Sequence, residues 1–131
     1  MTRTLNLILA AIAAIAISIP ASAAAQGGFK LDPNLAKRGK TVWMNNGCYV
    51  CHTFGRRLAG PDLIGIMDRR DHDWLRRWLK ETESMLNTDP QAQAMLEEWK
   101  FVRMPQIKLR DADIDALFHY MEQATREARG G

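Results

Sequence analysis

The stretch NNGCYVCHTF, residues 45–54, contains both cysteines of this 131-residue chain, and a histidine directly follows the second one. Two residues separate Cys48 from Cys51. Four roles are open to such a pair: a disulfide, half of a zinc site, a redox dithiol, or covalent attachment of haem. The rest of the sequence has to decide among these roles.

Three of the roles fit the sequence poorly. A disulfide across two intervening residues closes a very short loop, which gains little stability compared with a longer one. Zinc requires four ligands, and the other two histidines, His72 and His119, are isolated and far apart in the sequence. A thioredoxin-like dithiol belongs beside a strand-helix-strand pattern, and this chain shows almost no strand signal.

The fourth role agrees with the motif, because Cys-x-x-Cys-His is the signature of c-type haem attachment. One helical turn between Cys48 and Cys51 places both sulfurs on the same side of the backbone. Each sulfur can then add to a haem vinyl group and form a thioether, while His52 presents its imidazole to the iron. We therefore predict one covalent haem c, held by Cys48 and Cys51, with His52 as an axial ligand of the iron.

The second axial position decides between electron transfer and small-ligand chemistry. Among the seven methionines, Met104 stands out because Pro105 follows it and stiffens a loop between two helical patterns. Met67, Met85 and Met95 are interpreted as core residues, since methionine commonly fills gaps in a core. Met104 is the predicted ligand, and a vacant or histidine-ligated position is the alternative.

The first 25 residues predict a secretory signal peptide. Arg3 supplies positive charge, residues 5–19 form an apolar run too short to span a bilayer comfortably, and small residues follow. We expect cleavage after Ala23 or Ala25 and a periplasmic location. Stable membrane insertion is not expected after cleavage, and an uncleaved N-terminal anchor is the alternative.

Residues 26–131 suffice for one small domain, whose core would be marginal without a large buried group. The net charge of the whole chain is +3. Its arginine pairs, Arg56-Arg57, Arg69-Arg70 and Arg76-Arg77, are scattered among acids, so no basic stripe indicates a nucleic-acid partner. No nucleophile-base pair or catalytic carboxylate pair is readable, and Glu97-Glu98 is interpreted as a solvated helix face. A haem site without a readable catalytic set predicts an electron carrier, or the electron-transfer subunit of an enzyme complex.

Hydrophobic periodicity predicts an all-α fold of four to five helices around the haem. The helical segments are residues 35–45 after a start signal at Asp32 and Pro33, residues 71–81 with a start at Asp71, a segment that opens at Pro90 after a Thr88 or Asp89 cap, and residues 111–128. Trp74 and Trp78 lie on the apolar face of the second segment. They are predicted to pack beside the haem or to donate an indole hydrogen bond to a haem propionate.

The sequence resembles the monohaem class I c-type cytochromes through nearly the whole of residues 26–131. The matching features are Gly39 and Trp43 in the first helix, the Cys48-Cys51-His52 motif, the Gly60-Pro61-Asp62-Leu63 turn, the Met104-Pro105 loop, and Leu117 with Tyr120 in the last helix.

The resemblance implies a small cytochrome c fold in which the first and last helices cross, with Gly39 allowing their close approach. It also implies that the Pro61 carbonyl accepts the ring N–H of His52, a contact that orients the imidazole. Arg110 departs from the family by replacing a serine or threonine cap, so Asp111 is expected to cap one residue later or the turn to fray.

A second departure is the greater length of residues 81–103, which are interpreted as a lid over one haem edge, a docking surface, or a helix that fills space.

The resulting hypothesis is a periplasmic one-electron carrier that exchanges electrons with partner proteins of a respiratory chain. One alternative is a dedicated cytochrome subunit of a periplasmic oxidoreductase complex in sulfur-compound or nitrogen-oxide respiration. Another is a haem-based ligand-binding sensor. His72 and His119 are expected to be ordinary surface or loop histidines.

Overall fold

The computed structural model describes residues 28–100 and 102–130, and the predicted signal peptide lies outside them. The described residues form five α-helices and one 3-10 turn, and they contain no strand. In chain order these are α1 (Pro33–Asn45), the turn Cys48–Val50, α2 (Ile66–Arg69), α3 (His72–Thr88), α4 (Pro90–Glu98) and α5 (Asp111–Ala128). The all-α prediction is confirmed.

Helix α1 begins at Pro33 with Asp32 as its cap, which confirms the start signal predicted at these two residues. The Asp32 carboxylate accepts hydrogen bonds from the backbone N–H groups of Asn34 at 2.8 Å and Leu35 at 3.2 Å. Pro33 occupies the first turn, where no backbone donor is needed. The cap fixes the start of the helix that carries Gly39 and Trp43 inward.

The first part of α3 ends at the predicted residue, Glu81, and the helix then continues past a kink to Thr88, a continuation that was not predicted. The backbone leaves helical geometry at Glu81, with φ −135° and ψ 33°, and then resumes. Buried Thr82 donates its hydroxyl to the Trp78 carbonyl at 2.6 Å across this kink. The helix continues because the apolar side chains of Met85 and Leu86 are buried in the core.

Helix α4 begins at Pro90 with Asp89 as its cap, as predicted. The Asp89 carboxylate accepts from the backbone N–H groups of Gln91 and Ala92, both at 3.0 Å. The same carboxylate receives the indole N–H of Trp74 at 3.3 Å. The cap therefore ties the start of α4 to the first turn of α3.

Helix α5 has the predicted bounds, but its capping residue differs from the expected one. Arg110 is the capping residue and makes no capping side-chain bond, and Asp111 is the first helical residue rather than the cap. The guanidinium of Arg110 instead donates to Asp113 at 2.8 Å, and Arg38 of α1 donates to the same carboxylate at 2.7 Å. Acidic side chains in a first turn also suit the helix dipole, so the turn is held without a serine or threonine cap.

Helices α1 and α5 pack against each other at Gly39. A Cβ atom on Gly39 would overlap the backbone carbonyl of Ala116 and lie 2.8 Å from Cβ of Tyr120. The Tyr120 ring packs on the Trp43 ring, with centroids 5.6 Å apart. This close approach agrees with the contact that the sequence resemblance implies.

The core between these helices is apolar and contains aromatic and methionine side chains. Its buried members are Trp43, Met67, Leu75, Trp78, Leu79, Met85, Leu86, Ala92, Ile114, Leu117, Phe118 and Met121. Within residues 28–100 and 102–130, no helix combines the length and apolar character needed to cross a bilayer.

Acid is expected to destabilise the protein through Asp89. The N–H of Ala92, followed by the Trp74 indole, the N–H of Gln91 and the Arg77 guanidinium, lowers the pKa of Asp89 below its ordinary value of 3.8. Because the pKa of Asp89 is lower in the folded state than in the unfolded state, its ionisation stabilises the fold at pH values above 3.8. This contribution to stability is lost as the pH falls through the folded-state pKa. Melting temperatures measured from about pH 6 to about pH 2 should fall at the acid end of this range.

The matched variant for this prediction is Asp89→Asn. Asparagine caps a helix nearly as well as aspartate but does not titrate, so the variant should lose less stability on acidification than the wild type. An identical acid dependence in the two proteins would exclude Asp89 as a contributor.

Candidate functional site

A cavity of about 450 Å³ opens between the helices, with a mainly apolar lining. It is lined by side chains from α1, the 3-10 turn, the loop after it, α3, α4, the loop before α5, and α5 itself. Every site residue predicted from the sequence lies on this lining: Cys48, Cys51, His52, Pro61, Trp74, Trp78 and Met104. These residues span more than fifty positions of sequence, and the fold brings them to one place.

The cysteine wall of the cavity is a single tight turn. Gly47 opens it with φ 66°, a left-handed conformation that glycine adopts without strain. The N–H groups of Cys51 and His52 both donate to the Cys48 carbonyl, at 3.2 and 2.9 Å. The turn brings Cys48 and Cys51 to the same wall as free, partly buried thiols, and burial raises the pKa of Cys48.

His52 is oriented by the loop that follows the turn. Its Nδ1 lies 2.9 Å from the Pro61 carbonyl oxygen, and a carbonyl can only accept, so Nδ1 carries the proton. Burial lowers the pKa of His52, and the hydrogen bond to Pro61 opposes that shift. The imidazole is therefore neutral at neutral pH, with the lone pair of Nε2 available to a metal.

Gly60 is a site residue whose individual role the sequence did not reveal. A Cβ atom at this position would lie 2.5 Å from Cε1 and 2.8 Å from Nδ1 of His52. The Gly60 N–H also donates to the Cys51 carbonyl at 2.8 Å. Only a residue without a side chain leaves room for the ring, and the Gly-Pro pair was the signal from which this could have been inferred.

Met104 lies on the lining with α3 beside it. The indole Nε1 of Trp78 is 3.2 Å from the Met104 sulfur, and the Trp74 ring stacks on the Trp78 ring with centroids 5.6 Å apart and an interplanar angle of 7°. The Trp74 N–H donates to Asp89. Both indole N–H groups have protein acceptors, Asp89 for Trp74 and Met104 for Trp78, and the hydrogen bond to a haem propionate stays a prediction. The packing role of both rings remains a prediction.

Residues 81–103 form part of the cavity wall. The segment contributes Leu86, Met95, Leu96, Glu98, Trp99, Val102 and Arg103 to the lining. The guanidinium of Arg57, in the loop after the cysteine turn, lies 3.7 Å from the centroid of the Trp99 ring. This contact joins the segment to the loop that follows the cysteine turn, and the lid interpretation stays a prediction. Periodicity placed α4 but could not show which surface it covers.

The remaining methionines and histidines differ in whether they line the cavity. Met95 and Met121 line the cavity, whereas Met67 and Met85 are buried in the core without lining it. His119 accepts the Asp32 backbone N–H at 3.0 Å, and His72 lies 2.8 Å from the Met67 carbonyl oxygen. Both histidines are partly exposed helix residues outside the lining, which agrees with the expectation of ordinary surface histidines, although neither lies in a loop.

Most of the described sequence matches one protein family. The family described as Cytochrome c matches residues 36–125. The chain belongs to the cytochrome c family. The match includes the cysteine turn, the Pro61 loop and Met104, and it implies a covalently attached haem c and electron transfer with redox partners.

Solved structures agree with this assignment. This cytochrome is 38% identical to the cytochrome c domain of the pp3183 protein from Pseudomonas putida, over 66% of this chain and 87% of that one, with a TM-score of 0.61. It shares the fold of a cytochrome c from Rhodothermus marinus at 22% identity and a TM-score of 0.68, over 75% of this chain and 83% of that one. No functionally curated protein matches it significantly.

The residues on the cavity lining fit a haem c by their chemistry. Two thiols on one turn, a neutral imidazole with Nε2 free, and a thioether sulfur are the donors that covalent haem attachment and iron ligation use. The cavity volume lies within the usual range for cofactor sites. Arg69, Arg70 and Arg103 also line it and supply positive charge for a group that carries carboxylates.

Proposed function

We propose that this cytochrome is a periplasmic one-electron carrier with a single haem c, held by Cys48 and Cys51 and ligated by His52 and Met104. The observation that carries the proposal is the meeting of both thiols, the oriented imidazole and the Met104 sulfur on one cavity. The iron of a bound haem supplies the chemistry by alternating between its ferrous and ferric states.

The protein's contribution is to hold two dissimilar ligands in fixed positions. The Pro61 carbonyl and the Gly60 backbone restrain His52, and Trp78 contacts the sulfur of Met104. A thioether is a soft ligand and raises the potential relative to a second histidine. Ligands that do not move between oxidation states suit rapid electron transfer.

The apolar lining, like the thioether ligand, would raise the reduction potential of the iron. The cavity is lined by five leucines that would shield a bound haem from water: Leu63, Leu75, Leu79, Leu86 and Leu117. A low-dielectric environment disfavours additional charge, so it favours the ferrous state over the ferric state. The lining therefore supports a carrier that accepts electrons readily.

The periplasmic part of the proposal is supported by the sequence of residues 1–25. Its test is mass spectrometry of the protein purified from the periplasmic fraction. A mature chain that begins after Ala23 or Ala25 is expected. A protein that keeps residues 1–25 and partitions with membranes would instead be anchored.

The test of the haem assignment is a visible spectrum of the purified protein, oxidised and reduced, followed by acid-acetone extraction. The colour should stay with the polypeptide, and the haem-to-protein ratio should be one. Extraction of the pigment into the organic phase would exclude thioether attachment. A ratio above one would exclude a monohaem site.

Replacing Met104 with alanine should open the sixth position of the iron. The expected result is loss of the methionine-to-iron absorption near the red edge of the visible range and rapid carbon monoxide binding by the reduced protein. Met85→Ala is the matched control, because Met85 is buried but does not line the cavity. An unchanged spectrum in Met104→Ala would reassign the ligand, and Met95 would be tested next because it lines the cavity.

A dedicated subunit of an oxidoreductase complex is a second candidate, which exposed apolar side chains favour. Tyr49 and Val50 lie between the two cysteines and are 50% and 65% exposed, and Val102 on the cavity lining is 58% exposed. Residues 81–103 thus contribute Val102 to this exposed apolar surface as well as lining the cavity. Affinity purification at native expression levels separates the candidates: a subunit retains one partner stoichiometrically, whereas a carrier purifies alone.

A further inference from the structure

The contact between Trp78 and Met104 joins two residues that are 26 positions apart. The indole N–H of Trp78 lies 3.2 Å from the Met104 sulfur, and the Trp78 side chain is 9% exposed. A buried indole N–H needs an acceptor. A thioether sulfur is a weak acceptor, so its selection here is a specific feature of this fold.

The indole is held in place from several directions. Trp74 and Trp78, four residues apart on α3, stack nearly parallel. The Trp74 N–H is fixed in turn on Asp89, the cap of α4. The Thr82 hydroxyl bonds to the Trp78 backbone carbonyl at 2.6 Å. The N–H of Trp78 therefore cannot turn away from Met104 without disturbing both α3 and α4.

The Met104 loop is fixed against the same helix by Gln106. Its side-chain amide donates to the Lys80 carbonyl at 2.8 Å and accepts the Glu83 N–H at 3.2 Å. These two backbone groups flank the kink at Glu81. One side chain thus bridges the α3 kink and anchors the loop two residues beyond Met104.

We propose that Trp78 is a positioning residue that sets the sulfur of Met104 and raises the reduction potential of the site. This inference rests on the proposed ligation by Met104. A sulfur with two lone pairs can accept the indole N–H with one and keep the other for iron. The hydrogen bond withdraws electron density from the sulfur, which weakens its support of ferric iron and favours the ferrous state.

The decisive experiment is potentiometric titration of the holoprotein with Trp78→Phe, which removes the N–H and keeps an aromatic ring. The expected result is a lower midpoint potential with the methionine-to-iron absorption retained. Tyr120→Phe is the matched control, because it removes a hydroxyl from a half-buried aromatic residue that does not line the cavity. That control should leave the potential unchanged.

The outcomes separate this inference from the proposed ligation. An unchanged potential in Trp78→Phe, with Met104→Ala still abolishing the absorption, overturns the inference alone. Loss of the absorption in Trp78→Phe means that Trp78 keeps Met104 on the iron but does not tune an intact ligand, and this overturns the inference that its N–H raises the reduction potential. An absorption that survives Met104→Ala overturns the ligation, and the inference with it.

A second measurement covers the case in which Trp78→Phe does not fold. Among the four tryptophans, the indole N–H bonded to sulfur should exchange slowly with solvent hydrogen, as followed by NMR of the reduced holoprotein. Met104→Leu removes the acceptor, and one indole N–H should then lose its protection. Equal protection in the two proteins would overturn the inference.

Discussion

Replacing both Cys48 and Cys51 with serine is expected to abolish covalent haem attachment completely. Serine hydroxyls do not form the thioethers that the two thiols form, so any haem retained would be held only by ligation and packing. Acid-acetone extraction should then remove all pigment from the variant and none from the wild type. Mass spectrometry should show the polypeptide mass without the added mass of haem.

Single replacements and a neighbouring control sharpen this prediction. Cys48→Ser and Cys51→Ser should each keep the haem through the remaining thioether. Val50 lies between the cysteines and is exposed, so Val50→Ser is the control and should behave as the wild type. Pigment that resists extraction from the double variant would mean that the attachment is not through these thiols.

Replacing Gly39 with alanine is expected to lower the free energy of unfolding by about 1–3 kcal/mol, the usual cost of overpacking a core. Two effects compete. Alanine in a helix interior gains about 1 kcal/mol over glycine from propensity, but its Cβ would overlap the Ala116 backbone carbonyl of α5. The overlap should dominate, because a backbone carbonyl cannot move aside as a flexible side chain can.

Chemical denaturation of the holoprotein measures this effect as a lower unfolding midpoint. Gly28→Ala is the matched control, because nothing lies within 4 Å of a Cβ at that position, and its free energy of unfolding should change by less than about 0.5 kcal/mol. A Gly39→Ala protein as stable as the wild type would mean that α1 and α5 separate at little cost.

Local signals predicted most of the helices correctly. Some features are readable because they depend on residues a few positions apart: the cap of α3 at Asp71, the cap of α4 at Asp89 with Pro90 in its first turn, and the apolar face of α5. The end of α3 was missed because its continuation beyond Glu81 depends on core contacts of Met85 and Leu86. The cap of α5 was misplaced because Arg38, far away in sequence, helps to hold Asp113.

The site residues also divide into those that a local motif predicts and those that only the packing of distant segments brings together. The positions of the two cysteines and His52 follow from one turn of backbone, so the motif alone predicted their chemistry. Met104 was predicted from Pro105 and from the family resemblance, and the structure places it on the same lining. The wall formed by residues 81–103 and the contact of Arg57 with Trp99 were not readable, because they depend on how distant segments pack.

The sequence by itself determined that this chain is a helical cytochrome c, because the haem motif and the helix caps depend on neighbours along the backbone. The tertiary structure alone decided that Gly60 makes room for the His52 ring, that residues 81–103 line the cavity, and that Trp78 donates to Met104. The physical reason is that such contacts join groups whose separation is set by helix packing, and no local pattern of residues encodes that distance.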